Sequence, residues 1–169
     1  YVTCLTRHCA STSKTTAMMK RIIATGMSNM QYYNNLITSV EKTSDDIHTQ
    51  IGCVITAKDG HILSMGTNKF TAGITATAEN VERPEKYDWI EHAERNAIFS
   101  AAKNGVRLKN ATMYLLDFPC VECSRAIAQS GITTLYTGLT KVLDEERYKF
   151  SKSRTILAAA GVELIEGWR

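Results

Sequence analysis

The chain contains 169 residues, of which 44% are hydrophobic and 22% are charged; this composition predicts one folded domain and excludes a disordered chain. No run of about 18 apolar residues is present, which argues against a membrane-spanning helix. The net charge of +3 comes from residues 1–26, which hold four of the 20 basic residues and none of the 17 acidic ones. The remainder is close to neutral, so we predict no nucleic-acid and no membrane partner.

Residues 1–26 form a basic arm rich in serine and threonine. Such a composition also occurs in organelle transit peptides. Because Met27 would make a natural start, we predict that this segment is a disordered arm or an artefact, and that the folded domain spans residues 27–169.

The five cysteines are an odd number and include a single Cys-x-x-Cys pair. Secreted disulfide frameworks usually contain an even number of regularly placed cysteines. The cysteine content therefore predicts a reducing, cytoplasmic location.

Apolar periodicity predicts a helix over residues 29–42, where one stripe is formed by Met30, Tyr33, Ile37 and Val40. Alternation over 50–56 and the returning segment 61–66 predict a hairpin around Asp59-Gly60. The segment 67–87 has no period and is predicted to be a long functional loop. The elements predicted beyond it are a helix over 92–104, a strand over 111–116, a helix over 119–130, a strand over 132–137, a helix over 144–160 and an edge strand over 162–165. This order predicts an α/β fold in which a mixed sheet lies between helices and the later strands are parallel.

Two motifs stand where helices are predicted to begin: His92-Ala93-Glu94 and Pro119-Cys120-Val121-Glu122-Cys123. The two cysteines are three residues apart, so their sulfur atoms leave the same face of a first helical turn. Pro119 is tolerated at a first helical position, and the positive end of the helix favours thiolate over thiol. These positions predict that both sulfur atoms are available to a metal ion.

His92, Cys120 and Cys123 together predict a catalytic zinc site with one ion per chain, because three protein ligands leave a fourth position open for water. Glu94 is predicted to move protons during the reaction. Each motif alone is weak, since a Cys-x-x-Cys pair is often redox-active or structural and a His-x-Glu pair is often a surface feature. In combination they form the signature of zinc-dependent deaminases.

Longer stretches around these motifs resemble the deoxycytidylate (dCMP) deaminase family. The resemblance extends from about residue 32 to 163, and it is carried by residues 49–55, 66–73, 86–98 and 112–123. The zinc motif is common to the whole superfamily. The features that narrow the resemblance to the nucleotide branch are Lys86-Tyr87, Asn96 and the loop around Asn68.

This resemblance implies a three-layer α/β/α cytidine deaminase-like fold, with a mixed five-stranded sheet between helices, and a homo-oligomer. It implies hydrolysis of dCMP, a small nucleotide, to dUMP and ammonia. It also implies that His92, Cys120 and Cys123 bind Zn²⁺ and that Glu94 is the proton shuttle. The implied substrate-binding residues are Asn68, which contacts the sugar, and Ala93, Phe118 and Pro119.

The chain departs from the family in three places. Lys69 and Thr71 occupy loop positions where the family often has glycine and proline. Residues 140–142 read Thr-Lys-Val where the family often has Asp-Lys-Tyr, with its tyrosine near the substrate. Residues 74–91 contain neither cysteine nor histidine, so we predict no second, structural zinc ion in that segment.

Other functions remain open at this point. The chain could deaminate another base, such as a modified deoxycytidylate, guanine, a pteridine precursor or adenosine in tRNA, although the near-neutral domain argues against a polynucleotide. A non-catalytic zinc module is a further alternative, against which the presence of Glu94 argues. Arg95 and Lys69 are candidate phosphate partners, but solvated surface charges are the simpler interpretation of both.

Overall fold

A computed structural model describes residues 29–139 and 145–168 of the chain. The predicted basic arm and residues 140–142 lie outside the described residues. In the described ranges no helix combines the length and the apolar character that crossing a bilayer requires.

The secondary structure follows the predicted order closely. The helices are α1 (Asn29–Glu41), α2 (Lys86–Trp89), α3 (Ala93–Lys103), α4 (Val121–Ser130), α5 (Glu145–Tyr148) and α6 (Phe150–Ala159). The strands are β1 (Gly52–Thr56), β2 (Ile62–Thr67), β3 (Lys69–Phe70), β4 (Ile90–Glu91), β5 (Thr112–Leu115), β6 (Thr134–Thr137) and β7 (Glu163–Glu166).

The main sheet has five strands in the order β2-β1-β5-β6-β7. Strand β1 pairs antiparallel with β2 and β5, whereas β5, β6 and β7 are parallel to one another. This arrangement confirms the predicted mixed sheet with parallel later strands. Strands β3 and β4 form a separate antiparallel pair. Strand β4 ends at Glu91, directly before His92.

Helices cover both faces of the sheet. Alternate residues of a strand point to opposite sides, so β1 contributes side chains to both faces. Val54 of β1 packs with Tyr33 and Ile37 of α1 in one apolar cluster. Its neighbours Cys53 and Ile55 point the other way, into the larger core formed with α3, α4 and α6. The predicted three layers are therefore present, and the larger core lies on the side that carries the two chemical motifs.

Gly66 allows β2 to approach the beginning of α3 more closely than any other residue would. A Cβ atom at this position would lie 2.5 Å from the backbone oxygen of Ala93 and 2.5 Å from the backbone nitrogen of Ala97. These are rigid helix atoms one turn from His92. The absence of a side chain at Gly66 thus positions the helix that begins the candidate site.

The predicted last helix is interrupted. Lys149 adopts a left-handed conformation with φ 53° and separates α5 from α6. Glu145 Oε1 accepts the backbone N–H of Ser151 at 2.9 Å, and the Phe150 ring packs edge-on against Phe118. Packing of Phe150 near the candidate site, which no helical period can reveal, accompanies the break.

Candidate active site

His92, Cys120 and Cys123 converge where α3 and α4 begin. His92 caps α3, Cys120 caps α4, and Cys123 lies in the first turn of α4. Both capping residues have extended backbones, so Cys120 precedes the helix. The prediction that Pro119 opens this helix was wrong by two residues, because α4 begins only at Val121.

The three donor atoms have the spacing of a tetrahedral zinc site. His92 Nδ1 lies 3.4 Å from Cys123 Sγ and 3.7 Å from Cys120 Sγ. Zinc binds sulfur at about 2.3 Å and imidazole nitrogen at about 2.0 Å, which places two such ligands about 3.6 Å apart in a tetrahedron. Among the described residues no other acidic residue, histidine or cysteine joins this group. The site therefore fits a zinc ion held through Nδ1 of His92, with a fourth position open.

The two thiols differ in acidity in the metal-free protein. Hydrogen bonds from the Cys123 thiol and from His92 hold the pKa of Cys120 at about 4, against the opposing effect of burial. Contact with Cys120, together with burial, raises the pKa of Cys123. Cys120 is thus the thiolate of the pair at neutral pH, and metal binding displaces the proton that Cys123 retains.

Arg95 joins the beginnings of the two ligand-bearing helices. Its guanidinium contacts Glu91 Oε1 and donates from Nη1 to Glu122 Oε2 at 2.9 Å. The same oxygen of Glu91 accepts the backbone N–H of His92 at 2.9 Å. Arg95 is therefore engaged in holding α3 against α4, and it is absent from the pocket wall.

Glu94 lies in the first turn of α3, two residues after His92, with only 6% of its surface exposed. It lines the same pocket as His92 and Cys120. Burial raises the pKa of the Glu94 carboxyl above its ordinary value. A buried carboxyl beside a catalytic metal is placed to accept and donate protons.

The pocket beside these residues has a volume of about 290 Å³. Rings of Phe118, Tyr148 and Phe150 line it. Phe150 meets Phe118 edge-to-face with centroids 5.9 Å apart and stacks on Tyr148 at 5.5 Å. Aromatic walls with a few polar groups at one end are typical of pockets for small planar ligands.

Asn68 lines the pocket, but the protein itself occupies its side-chain amide. Nδ2 donates to the backbone oxygen of Thr49 at 2.7 Å and to Asp46 Oδ2 at 3.3 Å. Oδ1 accepts from the backbone N–H of Ile51 at 2.8 Å, and it lies 2.7 Å from Ser44 Oγ, whose single hydrogen is shared with the backbone oxygen of Asn68 at 2.8 Å. Both N–H donors and one acceptor position of the amide are therefore in use. A sugar oxygen that accepts from Nδ2 must replace Thr49 or Asp46 there.

Lys86 and Asp46 form a buried ion pair in contact with Asn68. Lys86 Nζ donates to Asp46 Oδ1 at 2.8 Å and to Oδ2 at 2.6 Å, and the two side chains are 2% and 6% exposed. The backbone N–H groups of His48 and Thr49 also donate to Asp46. Burial acts to raise the pKa of Asp46, but these hydrogen bonds and the ammonium group lower it overall. The pair links the loop before β1 to α2 across the pocket wall.

The structure brings most of the predicted site residues together. His92, Cys120 and Cys123 form the metal-binding group with Glu94 beside it, and Asn68, Ala93 and Phe118 lie in the pocket wall. Pro119 is fully buried and does not line the pocket. Pocket residues that the sequence analysis missed as site residues are Asp46, Thr49, Arg83, Lys86, Tyr148 and Phe150. Most of these lie in segments without periodicity, and the only signals were the resemblances noted over residues 49–55 and at Lys86-Tyr87.

Comparison with known proteins agrees with this geometry. A family model for the cytidine and deoxycytidylate deaminase zinc-binding region matches residues 27–139. An uncharacterised deaminase from the luxG 3′ region of Aliivibrio fischeri is 35% identical over 123 residues, covering 72% of this chain and 81% of that protein. Deoxycytidylate deaminase of Mus musculus is 31% identical over 139 residues, covering 78% of this chain and 75% of that protein. The fold is similar to that of cyanophage S-TIM5 dCMP deaminase in complex with dCMP and dUMP, with a TM-score of 0.65 and 22% identity over 80% of this chain and 94% of that chain.

Proposed function

This chain belongs to the cytidine and deoxycytidylate deaminase family and is a zinc-dependent hydrolytic deaminase; we propose that its substrate is dCMP, which it converts with water into dUMP and ammonia. The names of its relatives support this substrate, since the mouse and human proteins are deoxycytidylate deaminases and each is covered over 75% of its length. The observation that carries the proposal is a tetrahedral donor set beside a buried carboxyl in an aromatic pocket.

The metal ligands in this proposal are His92, Cys120 and Cys123. When bound, zinc supplies Lewis-acid chemistry that lowers the pKa of water and so provides a nucleophile near neutral pH. Two thiolates and a neutral imidazole balance the charge of the divalent ion, and Arg95 keeps the two helices that present them in contact.

Glu94 moves the protons of the reaction. Its carboxylate accepts a proton from the attacking water and delivers it to N3 of the cytosine ring as C4 is attacked. It then takes the hydrogen of the new C4 hydroxyl group and passes it to the amino group, which leaves as ammonia while the C4 carbonyl forms. Because Glu94 is almost completely buried, its proton is shielded from exchange with bulk water during these steps.

The pocket wall positions the base. Phe118, Tyr148 and Phe150 offer apolar ring surfaces to a planar pyrimidine. Ala93 lies in the same wall between the ligand His92 and the shuttle Glu94, where its backbone can contact the base. Asn68 contributes by holding the wall in place through its hydrogen bonds to residues 46–51, and its Nδ2 reaches the sugar only by exchanging one of its two bonds.

Ammonia release from dCMP tests this function. The purified protein should contain about one zinc ion per chain and should release ammonia from dCMP in preference to free bases. Glu94→Gln should keep the zinc and lose at least about 100-fold in kcat, whereas Glu79→Gln, an exposed control outside the pocket, should keep full activity. Full activity of Glu94→Gln, or preference for an unphosphorylated base, would contradict the proposal.

Two further expectations extend the proposal. We expect a homo-oligomer, because Met65 on the edge strand β2 and Phe99 on the adjacent α3 are 44% and 53% exposed. Light scattering should therefore give a mass above that of one chain, and Met65→Glu should lower it. The cytoplasmic location stays a prediction from cysteine usage.

A further inference from the structure

Besides His92, two basic side chains line the pocket within the described residues, those of Lys86 and Arg83. The charge of Lys86 is already compensated, since its ammonium group is buried against Asp46 at 2.6 Å. The two cations that the sequence singled out lie elsewhere: Arg95 is held by Glu91 and Glu122, and Lys69 lies outside the pocket wall.

Arg83 differs from Lys86 in having no carboxylate partner among the residues that the structure describes. It is exposed at the pocket rim, and its Nη2 donates a hydrogen bond to Thr49 Oγ1 at 3.3 Å. A guanidinium group has five N–H donors, so four remain for a ligand. The Thr49 hydroxyl accepts from Arg83 and can still donate its own hydrogen.

Arg83 lies near an aromatic ring that a second arginine also contacts. Its guanidinium carbon lies 6.0 Å from the centre of the Tyr87 ring, and that of Arg147 lies 3.2 Å from the same centre. The acidic groups Glu94 and Asp117 belong instead to the segments that carry the zinc ligands. A nucleotide whose base reaches Glu94 would therefore meet positive charge at the rim.

We propose that Arg83, assisted by the Thr49 hydroxyl, binds the 5′-phosphate of the substrate and thereby makes the enzyme select nucleotides over nucleosides. Arginine matches a phosphate through two parallel N–H···O bonds, and such charge-assisted bonds are stronger than neutral ones. This assignment rests on the proposed function, because it takes a cytosine nucleotide as the ligand.

The experiment compares Arg83→Ala, Arg83→Lys and Thr49→Val with Arg107→Ala, which removes an exposed arginine that does not line the pocket. Arg83→Ala should lower kcat/KM for dCMP by roughly 10- to 100-fold, mainly through KM, and leave kcat/KM for deoxycytidine unchanged. Arg83→Lys should recover part of the loss, because it keeps the charge but not the paired donors. Arg107→Ala should behave as the wild type, and zinc content and melting temperature should be equal in all variants.

Binding of the unreactive product dUMP, measured by calorimetry on the zinc-loaded chain, separates the two proposals. Weaker dUMP binding by Arg83→Ala, but not by Arg107→Ala, supports the phosphate assignment even if the wild type fails to deaminate dCMP; that failure would remove only the proposed reaction. Unchanged dUMP binding, equal losses with dCMP and deoxycytidine, or no dUMP binding by the wild type would overturn the role of Arg83.

Discussion

The buried ion pair between Lys86 and Asp46 gives the most demanding test of the structure. Lys86→Met removes the ammonium group and leaves a carboxylate that is 6% exposed without its counter-charge. Asp46→Ala removes the carboxylate that accepts hydrogen bonds from Lys86, from Asn68 and from the backbone N–H groups of His48 and Thr49. Lys86→Met leaves a buried charge without its counter-charge and Asp46→Ala leaves buried donors unpaired, so both should destabilise the fold.

The magnitudes follow from what each change leaves behind. Removing one partner of a buried pair costs about 3–5 kcal/mol. Lys86→Met should lie near the lower end, about 3 kcal/mol, because Asp46 keeps three N–H donors. Asp46→Ala should lie near the upper end, about 5 kcal/mol, because it leaves the Lys86 ammonium and several donors unpaired. In a domain of this size these values correspond to a fall in melting temperature of roughly 6–20 °C.

Denaturant unfolding of the zinc-loaded chain measures these effects. The control is Lys69→Met, since Lys69 lies 4.0 Å from Asp45 and both side chains are 44% exposed; an exposed pair of this kind contributes about 0–1 kcal/mol. The double variant Asp46→Asn/Lys86→Met should be more stable than the sum of the Asp46→Asn and Lys86→Met effects implies, because no buried charge remains. The reasoning is refuted if Lys86→Met costs no more than Lys69→Met.

Three further predictions concern the same regions. The pKa of Asp46 is lowered in the folded protein. The stability that Asp46 contributes is therefore complete above the unfolded-state pKa of about 4, and it is lost as the pH falls through the lower folded value. Acid titration of the Asp46→Asn/Lys86→Met variant should show a shallower loss of stability below about pH 4. The pKa of Cys120 lies at about 4 in the zinc-free protein. Cys120 should therefore react with iodoacetamide at pH 6 before Cys53 and Cys123 do, and zinc should protect it. Equal labelling of these three cysteines, measured by mass spectrometry, would contradict this. Gly66→Ala should cost about 1–3 kcal/mol and lower kcat as well, because the new Cβ would lie 2.5 Å from α3 backbone atoms; a thermal melt measures the loss, and a melting temperature equal to that of the wild type would contradict the close approach of β2 to α3.

The zinc ligands were predictable because short spacings decide local geometry. Cys120 and Cys123 are three residues apart, so any helix beginning there presents both sulfur atoms on one side. The Pro119 boundary was misplaced because helix ends depend on capping geometry, and Cys120 adopts an extended backbone before the first turn. The error of two residues left the chemistry unchanged, because Cys120 Sγ still lies 3.7 Å from His92 Nδ1.

The polar half of the pocket was not predictable in the same way. Asp46, Asn68 and Lys86 belong to segments without periodicity, and the side chains of Asn68 and Lys86 reach Asp46 across 22 and 40 residues of sequence. Resemblance implies that Asn68 contacts the sugar, which stays a prediction; the structure adds that both N–H groups of its amide donate to the protein. Resemblance to relatives concerns the identity of a residue, whereas its hydrogen-bond partners depend on the tertiary structure.

By itself the amino-acid order determined the class of fold and the identity of the metal-binding residues, because apolar periodicity and ligand spacing act within one or two turns of a helix or strand. Tertiary structure alone decided which charges are compensated, that Arg95 joins two helices, and that Arg83 at the pocket rim lacks a carboxylate partner among the described residues. Those outcomes depend on side chains that are distant in sequence and adjacent in space, and electrostatic interactions are set by such distances and by burial.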